Sequence, residues 1–152
     1  MLAFSSPAWR QTLLSSRELY DRLATKGMMV VATVGSLNKP EAALVAYSVY
    51  NGKIAFGTNR LTRKYAKLVD NPAIALVVGF DDVASLQLEG KAQLCSGEEL
   101  DKVRVLHAAN FPISAKHAKS PDQRYFVISL SWARLTDYSH GERIEEWHHD
   151  AD

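Results

Sequence analysis

Residues 58–64 read Thr-Asn-Arg-Leu-Thr-Arg-Lys, which places two hydroxyls, an amide and three cations within one short stretch. It follows a strand-like run, KIAFGT, and opens a segment of helical character over about 60–70. The first N–H groups of a helix lack intrahelical acceptors and carry a partial positive charge, so acids normally stand there. Here Arg60, Arg63 and Lys64 occupy the start, and no acid occurs until Asp70. Each misplaced cation costs roughly a few tenths of a kcal/mol. A bound anion would reverse that cost. The free amides, the Thr62 hydroxyl, the Arg63 guanidinium and the Lys64 ammonium suit a phosphate dianion, with Thr58 and Asn59 as caps at the strand end. The competing reading is a solvated basic face, with Arg60, Lys64 and Lys67 turned to water.

Other chemistry is hard to find. The sequence has no G-x-G-x-x-G, no G-x-x-x-x-G-K-[ST], no H-E-x-x-H and no paired C-x-x-C. The five histidines are scattered, and His148-His149 near the C-terminus reads as a polar tail rather than a metal site. Ser114-Ala115-Lys116 is too common a combination to mark a nucleophile. No catalytic residue and no metal ligand is assigned.

The whole chain adds bounds. Its 152 residues suit one domain, taken as 1–152. Hydrophobic residues make 47% and charged residues 23%, the balance of a soluble globular protein. A net charge of +1 gives no field to draw nucleic acid or a membrane, so any anion site is local. Cys95 is the single cysteine and has no partner within the chain. There is no apolar run of about 20 residues, and the N-terminus lacks a signal-peptide pattern, so a cytoplasmic setting is expected.

The elements that must position the basic turn follow from periodicity. A helix is expected over about 15–26, capped by Ser15 or Ser16 and stopped by Gly27. MMVVATV, 28–34, reads as a buried strand, and EAALVAYSVY runs into Asn51-Gly52, a strong hairpin signal. The basic helix ends at Asp70-Asn71-Pro72, before the strand AIALVVGF. ASLQLEGKAQL, 84–94, alternates: Leu86, Leu88, Ala92 and Leu94 share one face, and Ser85, Gln87, Glu89, Lys91 and Gln93 the other. A helix is expected over about 97–109. A long strand follows, with Phe126, Ile128, Leu130 and Trp132 on one face, and RIEEWHHDAD forms a tail. About six strands joined by tight turns argue for an antiparallel sheet with peripheral helices. A small closed barrel is favoured over an open sheet with helices on one side.

The order of these motifs resembles the FMN-binding split-barrel family typified by pyridoxamine 5'-phosphate oxidase. The resemblance lies in Phe56-Gly57-Thr58-Asn59, Thr62-Arg63-Lys64, Asn71-Pro72, Leu88-Glu89-Gly90 and the tail Ile144-Glu145-Glu146-Trp147. It covers about 28–95 well and the last twenty residues weakly. It implies a mainly β fold, a six-stranded antiparallel Greek-key split β-barrel, and a homodimer with FMN at the interface. Thr62, Arg63 and Lys64 would then hold the phosphate, with Thr58 and Asn59 nearby. Leu44, Val45, Ala46 and Tyr47 would run under the isoalloxazine. Ser85 takes the position of a flavin-contacting glutamine, for which Gln87 could substitute, and Trp147 would pack on the partner's flavin. A dimer also suits the apolar strands, which exceed what one small barrel can bury. Its interface should exceed roughly 2,000 Å².

The sequence departs from that family in two places. The oxidase has an arginine three residues after the proline preceding its second strand, whereas Pro40 here is followed by Glu41-Ala42-Ala43. Its tail continues to an Arg-Leu-His segment that binds pyridoxal, where this chain reads His148-His149-Asp150-Ala151-Asp152. The expectation is an FMN-binding oxidoreductase of unknown small-molecule substrate, with Tyr47, Trp132 and Arg134 as candidates on the substrate side. Two alternatives stand beside it: a reductase using the deazaflavin F420 on the same fold, and a non-catalytic flavin- or haem-binding protein.

Overall fold

The computed structural model describes residues 13–79 and 83–149. Helix α1, Ser16–Ala24, is capped by the Ser15 hydroxyl, which accepts from the Glu18 N–H. Eight strands follow: β1 Met28–Thr33, β2 Glu41–Ala46, β3 Ser48–Tyr50, β4 Lys53–Asn59, β5 Ala73–Val78, β6 Ala84–Leu94, β7 Gln123–Asp137 and β8 Arg143–His148. Helix α2, Arg63–Asp70, lies between β4 and β5; α3, Gly97–Asn110, and the short α4, Ala115–Ala118, lie between β6 and β7.

Every strand pair is antiparallel, in the order β2-β1-β5-β6-β7-β4-β3 with β8 added to β7. The sheet curls into a split barrel, as the resemblance implies. Its interior holds Met29 and Val31 from β1, Ile74, Leu76 and Val78 from β5, and Leu86, Leu88 and Ala92 from β6. Leu19 and Leu23 of α1 close one side. A second, smaller cluster of Ala55, Val103, Tyr125 and Val127 packs α3 on the outside of β4 and β7. That cover is why Tyr125 to Ile128 are buried on both faces.

The strand count exceeds the expected six for two reasons. The run 41–50 breaks after Ala46, because Tyr47 turns inward and its N–H bonds the Gly27 carbonyl. The tail pairs with β7 as a full strand. The Asn51-Gly52 hairpin forms as expected: both residues have positive φ, 47° and 69°, and Tyr50 pairs with Lys53.

The long strand departs from simple alternation. Glu89 faces Trp132 and Gly90 faces Leu130, so Ser131 is an extra residue on β7. Such a bulge flips the faces beyond it. Phe126, Ile128 and Leu130 point to the core as expected, but after the bulge Ala133 and Leu135 do so, and Trp132 faces outward beneath the Arg134 guanidinium. Leu94, expected on the core face, is exposed at the far end of β6. Among the described residues, no helix is long and apolar enough to cross a membrane.

Candidate functional site

The basic turn begins one turn later than its sequence suggests. Thr62 is the N-cap of α2: its hydroxyl accepts from the Tyr65 N–H at 3.2 Å and donates to the Asn59 carbonyl at 2.9 Å. Since that proton is committed, the Thr58 hydroxyl, 3.0 Å away, donates to Thr62. The Asn59 amide oxygen accepts from the Leu61 N–H at 2.9 Å. Thr58, Asn59 and Thr62 therefore shape the turn with their side chains. The N–H groups of Arg63 and Lys64, the first two helical residues, have no intrahelical acceptor.

The cations divide. Arg60 lies before the helix, and its guanidinium is 2.7 Å from the Asp122 carboxylate. It is paired rather than directed simply to water. Arg63 is 82% exposed and 3.4 Å from Glu41. Lys67 reaches the same Glu41 oxygen at 3.4 Å and the Lys39 carbonyl at 2.6 Å. Lys64 is half-buried; desolvation lowers its pKa, and the Glu41 charge partly restores it. So β2 supplies the acid that the first turn of α2 lacks. That Glu41 oxygen is buried and accepts no hydrogen bond of good geometry. Three cations against one carboxylate leave a local excess of two positive charges beside two open amides.

Next to this turn, a cavity of about 360 Å³ occupies the seam where β2 approaches β4. Leu44, Val45 and Ala46 form one wall and Thr58 and Asn59 another, so the structure brings together these two parts of the expected site. The remaining wall was not read from the sequence. It comes from His107 of α3, Ser114, His117 and Ser120 around α4, and Gln123 of β7. The pairing of β4 with the start of β7, Asn59 opposite Gln123, explains how they arrive. No motif in 107–123 signals this, since the residues gather only through the β6–β7 excursion.

Other expected residues lie elsewhere. Tyr47 is turned into the core, its hydroxyl donating to the Leu23 carbonyl at 2.6 Å, and burial raises its pKa. Ser85 and Gln87 are on β6. Gln87 pairs with Arg134 and Thr58 with Arg124, so about 30 Å of β7 separates them at the usual rise per residue. Trp147 is 2% exposed within its own chain, its indole N–H donating to the Ser16 hydroxyl at 2.7 Å. Its ring is a core element of this chain. Arg134 bonds Glu146 at 3.2 Å. Burial pushes the Cys95 thiol up to about 11, so it is no nucleophile at neutral pH. Among the described residues, no three His, Cys, Asp or Glu gather as a metal site.

Comparison with known proteins agrees with this fold. A family model described as pyridoxamine 5'-phosphate oxidase matches residues 16–137. No curated protein matches the sequence. A haem-binding protein from Mycobacterium smegmatis superposes with a TM-score of 0.77 at 18% identity, covering 95% of this chain and 60% of its own. This chain is thus shorter than that relative, spanning less than two thirds of it. HutZ, a haem storage protein from Vibrio cholerae, gives 0.67 at 13% identity, covering 76% of this chain and 89% of its own. A nimC/nimA family protein from Clostridium acetobutylicum gives 0.69 at 12% identity, with coverages of 88% and 94%. At such identities these likenesses establish a shared fold.

Proposed function

This chain belongs to the pyridoxamine 5'-phosphate oxidase family, and from that premise we propose that it binds FMN in the seam between β2 and β4 and acts as an oxidoreductase on a small molecule. The observation that carries this reading is the charge at the start of α2. The excess of two positive charges from Arg63, Lys64 and Lys67 over Glu41 matches a phosphate monoester dianion, and the open Arg63 and Lys64 amides supply donors. The donor set therefore fits the group.

In this arrangement Thr62 holds the helix start, and Arg63, loosely paired and mostly exposed, swings from Glu41 to the phosphate. A bound anion restores the proton affinity that burial takes from Lys64. Leu44, Val45 and Ala46 offer an apolar strand to a planar ring. FMN would supply the electron chemistry, and the protein supplies position, charge and exclusion of water.

We further propose a homodimer. Leu44 is exposed on β2, and an apolar groove of about 640 Å³ runs past Ala32, Pro40, Ala73, Ile74 and Leu130. Ser85 and Gln87 stand too far along the sheet to meet a flavin held by their own α2, but a second copy could present them.

FMN titration of wild type and Arg63→Ala tests the reading. Charge-assisted hydrogen bonds contribute about 1.5–3 kcal/mol, so the variant should bind roughly tenfold to a hundredfold more weakly. Equal affinity would place the phosphate elsewhere. The visible spectrum of the purified protein separates FMN from a deazaflavin or haem.

A further inference from the structure

One wall of the seam is built unlike the others. Residues 112–119 run through a tight helical turn, Pro112–Ser114, and α4, and no side chain among them is buried. Their hydrogen bonds stay local: the Ser114 N–H donates to the Phe111 carbonyl at 2.8 Å, and the Ser120 N–H to the His117 carbonyl at 2.9 Å. Among the described residues, no backbone hydrogen bond ties 112–119 to the sheet. A segment with no buried side chain opens far more readily than the whole fold unfolds. Yet Ser114 and His117 line the cavity in which FMN is seated above.

Two attachments hold this wall by its ends. At the far end the Asp122 carbonyl accepts from the Arg60 N–H at 2.8 Å, and the Asp122 carboxylate from the guanidinium at 2.7 Å. At the near end the last turn of α3 meets β3. The Asn110 amide donates to the Ser48 hydroxyl at 3.0 Å, and Ser48 in turn donates to His107 Nδ1 at 2.9 Å. Phe111 packs on the His107 ring at 5.0 Å between centroids. Ser48 is the second residue after Ala46, so this contact draws the α3 wall toward the β2 wall.

The near attachment requires a neutral imidazole. His107 and Ser48 are only 4% and 2% exposed. A protonated ring donates from Nδ1, so Ser48 would meet two N–H donors and its own proton would lose its acceptor. The charge would also be buried. Residues 44–46 of β2, Ser48 of β3 and residues 57–59 of β4 do not ionise. The titratable groups around the ring are Tyr125 of β7 and His117 of α4, with Arg104 one turn earlier on α3. No carboxylate acts on the imidazole, and burial alone lowers its pKa.

We propose that residues 111–120 and the last turn of α3 form a lid over the seam, hinged at Asp122 and latched by Ser48, His107 and Asn110, and that protonation of His107 releases it. This rests on the FMN reading only for what the lid covers. FMN enters when the latch is broken, and the lid closes over it.

Hydrogen exchange of the full chain, read by mass spectrometry with and without FMN, tests the lid. Without ligand, peptides within 108–120 should exchange at least about tenfold faster than those around Val103, the buried residue earlier in α3. Acidification from about pH 7.5 to about pH 5.5, corrected for intrinsic exchange, should widen that gap in wild type and in His117→Gln. It should not do so in His107→Gln, which offers Ser48 an acceptor and does not titrate there. FMN at saturation should slow exchange of the same peptides about tenfold or more. Ser48→Ala, or the milder Asn110→Ala, should speed FMN association and release together, by about threefold to tenfold, with affinity within about threefold of wild type. Exchange in 108–120 as slow as around Val103 would overturn the proposal, as would an acid response that His107→Gln retains. So would a latch variant that speeds release alone, by making Ser48 a support of the site rather than a catch. If wild type takes no FMN, the flavin reading fails by itself, and the ligand-free exchange still decides the lid.

Discussion

The Glu41 carboxylate lies 3.4 Å from the Arg63 guanidinium, an ion pair that joins the start of β2 to the start of α2. It accounts for cations at the wrong end of a helix. The acid that should accompany the helix start comes from a neighbouring strand, and it satisfies only part of the charge. Its own oxygen lacks a well-formed hydrogen bond, so the arrangement is loose enough to exchange partners.

Glu41→Gln should therefore strengthen FMN binding, by about threefold to tenfold, because a negative charge beside the phosphate is removed. Raised salt should shrink the gain. Isothermal titration of the variant checks this. A weaker complex would mean that Glu41 serves mainly to hold Arg63 in place.

Arg60→Ala should leave FMN affinity unchanged. Its partner is Asp122 at 2.7 Å, outside the phosphate turn. The loss of this partly exposed pair should lower stability by no more than about 1 kcal/mol. Denaturant midpoints and FMN titration on the same preparation separate the two effects.

Gly90→Ala should be among the more damaging single-methyl changes. A Cβ there would meet the Ser129 carbonyl oxygen at 2.3 Å, across the bulge. Backbone cannot step aside as a flexible side chain would. The expected cost is about 1–3 kcal/mol, read from the denaturation midpoint. An unchanged midpoint would show that the bulge is mobile.

The same bulge marks where sequence reading stopped. Strict alternation in 84–94 identified β6 and its core face, and Asn51-Gly52 identified the hairpin, because both are local signals. An extra residue opposite Gly90 leaves no local signature, so Trp132 was assigned to the core face while Ala133 and Leu135 in fact take it. The caps and first cations of the turn at Thr58–Lys64 were legible because they lie within seven residues, whereas the Glu41 charge that meets them comes from β2. His107 was not, since its meaning depends on Ser48, fifty-nine positions away, and on α3 folding back over β4. Trp147 was legible as a tail tryptophan, and only the pairing of β8 with β7 shows that it fills the core of its own chain.

Acid should destabilise the fold in two stages. An unfolded chain protonates His107 near the ordinary 6.5, but the buried ring resists until lower pH. The unfolded state thus binds more protons below 6.5, and stability falls with pH there before levelling off. His107→Gln should remove this limb from a plot of melting temperature against pH. A second loss belongs to Asp137, pulled from 3.8 to about 2 by hydrogen bonds from Ser139 and then by Arg22. Its stabilisation is complete above 3.8 and disappears as pH falls toward 2. Glu18, lowered chiefly by its Arg143 bond, acts in the same direction. A wild-type profile flat from neutral pH to about 5 would contradict the His107 assignment.

The central claim is that the start of α2 anchors a phosphate. Riboflavin carries the same ring as FMN without that group. Parallel titrations of the purified protein with the two, at equal ionic strength, isolate the contribution of the turn. The account predicts FMN binding tighter by about a hundredfold or more, as expected for two or more charge-assisted hydrogen bonds, with the difference collapsing in Arg63→Ala. Equal affinities for FMN and riboflavin would contradict it, and would leave Arg63, Lys64 and Lys67 as a solvated face balanced by Glu41.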